Sequence, residues 1–245
     1  MISRRIITAL VLSLVSTTLA YSQAATDQRT YAGSFGGGIA TTSGNTDTQN
    51  FNLTFDVVRD PKTKNVMKAK ATYLRADQND ILHVNRTAVN LRDEWTVSGR
   101  TFVFGQLDYL RDQFKDIIFL WAPVAGVGYK FVSNDSTTFQ IDGGAGGLLE
   151  RNPGKPVSRS GSLTTGERFQ QRLSTRAMFT QTLATIWKTS DFADSLTNAS
   201  IGLTTSVVRN LELKVEFIDS YKNRPANAGI KKNDTAFVTA FVVKF

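Results

Sequence analysis

The sequence predicts one all-β domain, a transmembrane antiparallel up-and-down β-barrel of about 12 strands, with 10 or 14 as neighbouring counts. Three observations point there. Apolar and polar residues alternate along segment after segment, the alternating segments are long and joined as hairpins, and the last segment carries Phe237, Phe241 and Phe245 at every fourth position.

Alternation with a period of two puts successive side chains on opposite faces of a strand. Phe51, Leu53, Phe55 and Val57 share one face, and Asn50, Asn52, Thr54 and Asp56 the other. Leu211 to Phe217 repeats the pattern, with Glu212, Lys214 and Glu216 as its polar face. A soluble sandwich also alternates, but its strands usually run about five or six residues. Here the alternating stretches cover 31–42, 47–59, 66–77, 86–97, 101–112, 117–132, 136–150, 165–174, 178–188, 194–207, 211–221 and 234–245. Tight turns fall at Ser98-Gly99-Arg100, Ser133-Asn134-Asp135 and Arg209-Asn210, and longer polar loops are expected around 78–85, 152–164 and 223–233. Short turns at one end and longer loops at the other characterise outer-membrane barrels.

The closing segment sharpens the expectation. A flat hydrophobic edge strand would aggregate in water, whereas closure onto the first strand removes the edge. Phe237, Phe241 and Phe245 are expected on the lipid face, where they form a membrane-assembly signal similar to the terminal recognition strand of outer-membrane barrels.

Composition is consistent with this and excludes several rivals. Of 245 residues, 41% are hydrophobic and 20% charged, with no apolar run of 18 or more, which removes a helical membrane protein. Barrel strands are only half apolar by construction, so a barrel stays open. The absence of cysteine excludes disulfides, thiolate metal sites and cysteine nucleophiles. At the N-terminus, Arg4 and Arg5 precede the short apolar run Ile6 to Val15, and Ser22-Gln23-Ala24 fits a small-x-small cleavage pattern. Residues 1–24 are therefore read as a signal peptide cleaved after Ala24 or Ala25, and 25–245 as the barrel. Net charge is +8. An exported chain whose lysines and arginines are scattered is not expected to bind nucleic acid, and the charges suit lipopolysaccharide phosphates or acids inside the lumen.

Candidate chemistry is sparse. His83 is the single histidine and lies three residues after Asp80. A barrel hydrolase would use such a pair, but the surrounding residues match no barrel-enzyme pattern, and a solvated loop histidine is the plainer reading. One histidine without cysteine gives no zinc site. Gly36-Gly37-Gly38 lacks the Lys-Ser/Thr and helix of a phosphate loop, so it and Gly143, Gly144, Gly146 and Gly147 read as places of bending or close packing. Acids such as Asp93 raise the thought of divalent cations, but alternation offers a fuller account. It directs Asp56, Lys68, Lys70, Arg92, Glu94, Gln106, Asp108, Gln140, Asp142, Glu212, Lys214 and Glu216 into the lumen. There they either pair structurally or tune a polar channel. Trp95, Trp121 and Trp187, with Tyr31, Tyr73, Tyr109, Tyr129 and Tyr221, are candidates for interfacial girdles.

Several stretches together resemble a known family. They are Gly36-Gly37-Gly38 followed by Ser43 to Gln49, then Phe104 to Phe114, Gly126 to Phe131, and Phe139 to Gly147. In order and spacing they are similar to DUF481 proteins, a family of salt-induced outer-membrane proteins. The resemblance covers nearly the whole mature chain and implies a barrel in the bacterial outer membrane, with no established reaction. The expected protein is a monomeric, non-enzymatic barrel without cofactors. Its expected partners are outer-membrane lipid, lipopolysaccharide and the barrel insertion machinery. A narrow channel for ions or small polar solutes is the leading function. A barrel enzyme acting on lipid or lipopolysaccharide and a structural barrel with a plugged lumen are the alternatives.

Overall fold

Alternation carried round a closed ring gives a wall with an inner and an outer face, and the computed structural model has that architecture. It describes residues 30–43, 48–78, 81–227 and 229–245. The segment read as a signal peptide, the tip of the first hairpin and Asp80 lie outside the described residues. Twelve strands follow one another: β1 (Tyr31–Ser43), β2 (Thr48–Arg59), β3 (Asn65–Gln78), β4 (Ile81–Ser98), β5 (Thr101–Asp112), β6 (Ile117–Ser133), β7 (Thr137–Arg151), β8 (Ser158–Arg172), β9 (Ala177–Lys188), β10 (Asp191–Val208), β11 (Leu211–Lys222) and β12 (Asn233–Lys244). Each pairs antiparallel with the next, and β1 pairs with β12 to close the barrel. A closed ring leaves no unpaired sheet edge.

The closure extends to the end of the chain. Phe245 donates its N–H to the Gly33 carbonyl at 3.1 Å and accepts from the Gly33 N–H at 3.3 Å. A Cβ on Gly33 would lie 2.4 Å from Phe245 Cζ, so the terminal ring lies directly over a residue without a side chain.

Polarity is inverted relative to a soluble protein. Trp95 is 58% and Phe241 57% exposed, and Phe51, Phe55, Leu91, Ile201, Phe217 and Phe237 are exposed with them. Arg92, Glu94, Asp112, Lys115, Glu150 and Lys222 are buried. Near the proximal rim, where β1 begins and β12 ends, an aromatic ladder crosses β6 to β9. Tyr129, Phe131, Phe139, Phe169 and Phe179 follow at centroid separations of 5.0, 5.6, 6.3 and 6.1 Å.

Two expectations about connections need correction. Residues 78–85 are mostly strand, because β3 runs to Gln78 and β4 starts at Ile81. His83 therefore sits on a strand, not in a loop. The loop expected over 152–164 shrinks, because β8 begins at Ser158 and pairs with Glu150. Serine and threonine there form ladder hydrogen bonds as other residues do, so their turn-like composition misled. The β9–β10 connection is also tight, so long and short connections do not alternate strictly.

The ring is sharply coiled at two places. A Cβ on Gly38 would stand 1.8 Å from the Thr239 carbonyl at the β1–β12 seam, and one on Gly146 would stand 1.9 Å from the Pro123 carbonyl between β6 and β7. These seams are six strands apart in a ring of twelve, hence opposite one another. Two opposed corners flatten the ring and bring β4 toward β10.

Candidate functional site

The interior charges begin with Arg92 on β4. Its guanidinium donates from Nε to Glu94 Oε1 at 2.7 Å, from Nη1 to Gln106 Oε1 at 2.7 Å, and from Nη2 to Asp142 Oδ2 at 2.9 Å. The fork of donors on a planar cation suits three acceptors arriving from different strands. Its Cζ lies 3.7 Å from the Phe104 ring centroid, a cation–π contact inside the wall. Room for that ring comes from the neighbouring strand β6. A Cβ on Gly126 would lie 2.7 Å from Phe104 Cζ, and one on Gly128 would lie 2.2 Å from Phe102 Cζ.

Further groups extend this cluster across β3 to β8. Lys68 Nζ meets Glu94 Oε2 at 2.7 Å, and Arg168 Nη1 meets Asp142 Oδ2 at 2.7 Å. Asp108 accepts from Gln106 and from Asn90, both at 2.6 Å. Gln140 is buried on the same face of β7 as Asp142. Burying ions is costly unless each finds a partner, and this chain of contacts supplies one to each cation and acid in it.

The remaining lumen candidates form a second group on β2, β3 and β11. Asp56 stands opposite Lys70 in register. Lys214 Nζ meets Glu216 Oε2 at 2.7 Å, and Glu212 accepts from Ser206 Oγ at 3.3 Å and pairs with Lys244.

A third group at the distal end was not singled out from the sequence. Lys188 Nζ bridges Glu150 Oε2 at 2.6 Å and Asp194 Oδ2 at 2.5 Å. Lys222 Nζ contacts the same two acids at 3.4 and 2.8 Å. Arg86 pairs with Asp112 at 3.3 Å, and Arg86 Nη2 donates across the barrel to Asn198 Oδ1 on β10 at 3.2 Å. Lys115, in the 3-10 turn Gln113–Lys115 between β5 and β6, is fully buried and reaches Asp234 on β12 at 2.8 Å. Beneath these pairs Leu196 on β10 packs with Leu110, Ile117, Leu120, Ala122 and Leu148, while Leu74 on β3 meets Ala236 and Val238 on β12. Opposite walls thus touch, and side chains narrow the distal half of the lumen. Continuing the alternation would have marked Glu150 from Asp142 and Lys222 from Glu216; the buried lysine of the short turn carries no periodic signal.

A closed twelve-stranded antiparallel barrel with an apolar outer wall and an ion-paired interior defines the class of protein. Within that class, the chain belongs to the DUF481 family, described as a protein of unknown function, whose model matches residues 36–245. No curated protein matches. Among solved structures the chain is similar to the NanC porin, at TM-score 0.56 and 11% identity over 86% of this chain and 98% of that one. It is also similar to the translocator domain of autotransporter NalP from Neisseria meningitidis, at TM-score 0.51 and 10% identity over 98% and 95%. At these identities the likeness concerns the fold.

Proposed function

We propose that this chain is an exported outer-membrane barrel that catalyses no reaction and passes small ions through a narrow, charge-lined lumen. The observation that carries the reading is the inverted polarity: exposed Phe, Trp, Leu and Ile outside, and buried Arg92, lysines and carboxylates inside. Such an outer wall in water would be one continuous apolar patch, whereas in a bilayer it is solvated. On this reading residues 1–24 are removed on export, and Phe237, Phe241 and Phe245 present the assembly signal to the insertion machinery. Exposed Lys155, Arg159 and Arg224 at the distal rim then meet lipopolysaccharide phosphates. The salt-induced type and a monomeric state are part of the same proposal.

The lumen charges support conduction of ions over larger solutes. Lys68, Lys214 and Arg168 keep 33, 21 and 31% of their side-chain surface exposed, so the proximal half is wet, while Leu196 and Arg86 narrow the distal half. Hydrophobic constrictions restrict flow, and charged walls select among ions. Planar-bilayer recording tests this. Small conductance steps are expected from the wild type, larger ones from Leu196→Ala, and altered cation-to-anion selectivity from Lys214→Ala or Glu216→Ala. No current from many insertions of both wild type and Leu196→Ala would overturn the channel. That outcome would favour the plugged structural barrel, to which the apolar cluster around Leu196 also lends support.

A further inference from the structure

The outer wall is not uniformly convex. A groove of about 950 Å³ runs obliquely across β2 to β7, bordered by Tyr31, Met67, Leu91, Leu107, Pro123 and Ala125. Its floor drops to the backbone where Gly105 and Ala145 carry little or no side chain, and its surface is almost wholly carbon. Tyr31 of β1 marks its low edge and β2 to β7 form the rest, whose five interstrand spacings give a length of roughly 24 Å. Strands tilted roughly 35–45° make such a path climb about 15 Å, the depth of one leaflet of a ~30 Å hydrocarbon core.

The low end of the groove lies at the proximal rim and is charged. Arg59, Met67 and Asp93 stand in one register row on β2, β3 and β4. Among the described residues the Arg59 guanidinium hydrogen-bonds to the Met67 thioether at 3.8 Å, a weak acceptor for a cation. Asp93 accepts from Asn65 through Oδ1. A cation and an anion side by side complement a headgroup that carries a phosphate and an ammonium.

We propose that this groove holds one zwitterionic phospholipid of the proximal leaflet, with an acyl chain along it, the phosphate on Arg59 and the ammonium beside Asp93. The proposal rests on the membrane reading, and its test separates the two. The full chain is first reconstituted into liposomes. Failure to insert would overturn the membrane reading, and the groove proposal with it.

With insertion established, native mass spectrometry of the barrel in detergent compares dioleoylphosphatidylethanolamine with dioleoylphosphatidylglycerol at equal concentrations. One phosphatidylethanolamine per barrel is expected, held at about tenfold lower concentration than phosphatidylglycerol. Arg59→Ala is expected to weaken retention of both lipids about tenfold. Asp93→Asn is expected to abolish the preference, and Ala125→Phe to fill the groove and lose the lipid. Arg59 and Asp93 lie at the rim, so their variants keep the test open should Ala125→Phe fail to fold. Equal lipid retention by wild type, Arg59→Ala and Asp93→Asn would overturn the proposal. So would a dimer in place of the lipid adduct, which would give the groove to a second copy.

Discussion

Arg92 shows how one side chain can fix several strands. Buried among Glu94, Gln106 and Asp142 and stacked on Phe104, it ties β4 to β5 and β7. Its removal would leave Glu94 to Lys68 and Asp142 to Arg168, with an acid-rich pocket around the gap. Breaking a buried pair from one side costs about 3–5 kcal/mol, because the abandoned charge cannot be rehydrated. Arg92→Ala is therefore expected to lower unfolding stability by about 3 kcal/mol or more in urea titrations of the barrel folded in vesicles. A wild-type midpoint would contradict this. Arg92→Lys should recover only part of the loss, since one ammonium cannot serve three acceptors held by different strands. Phe245 makes the complementary point at the outer surface. Its backbone closes onto Gly33 and its ring occupies the space a Gly33 side chain would need. Deleting Phe245, or Gly33→Val, should reduce the heat-modifiable barrel in membranes, and normal accumulation of both variants would refute the assembly role.

At the scale of elements, the turn between β2 and β3 offers a pH test outside the strands. Lys62 bonds to Asp60 through its side chain at 2.8 Å and through its backbone N–H at 2.9 Å, holding the Asp60 carboxyl below the ordinary value of 3.8. A folded-state pKa depressed in this way stabilises above the unfolded value and is lost as pH falls through the folded one. The pair is exposed, so its contribution to stability is small. Carboxyl NMR should find Asp60 titrating below 3.8, and Lys62→Ala should return it toward that value; an unchanged midpoint would show that the bond does not persist. Strands themselves were legible: a count of about 12 follows from a period of two, the hairpin order from the turns between the strands, and closure onto β1 from the apolar edge of the last strand. What failed was the distinction between polar loop and polar strand. Ser158 to Thr164 and Ile81 to Asn85 read as connections because local composition says nothing of a partner strand. The site was legible in the same partial way. Parity separates Arg92 and Glu94 from Asp93, but nothing local says that Arg92 meets Asp142, or that Lys115 crosses the mouth to Asp234.

The whole molecule adds a constraint that no strand carries alone. Tight coiling at Gly38 and Gly146 turns the ring at two opposed seams, and the flattening brings Arg86 within 3.2 Å of Asn198, six strands away. The lumen is therefore narrowed by shape as well as by filling, because side chains of ordinary length could not meet across a round ring of twelve strands whose diameter grows with strand number. If that cross-barrel hydrogen bond helps hold the flattened form, its two ends act as one unit. Arg86→Ala and Asn198→Ala should each enlarge the conductance step in planar bilayers, and the double variant should enlarge it little beyond Arg86→Ala, since the shared contact can be lost only once. Arg86→Ala also removes the ion pair to Asp112, so its effect should be the larger of the two. Fully additive increases would show that the residues act separately on the lumen and that the contact does not couple the walls.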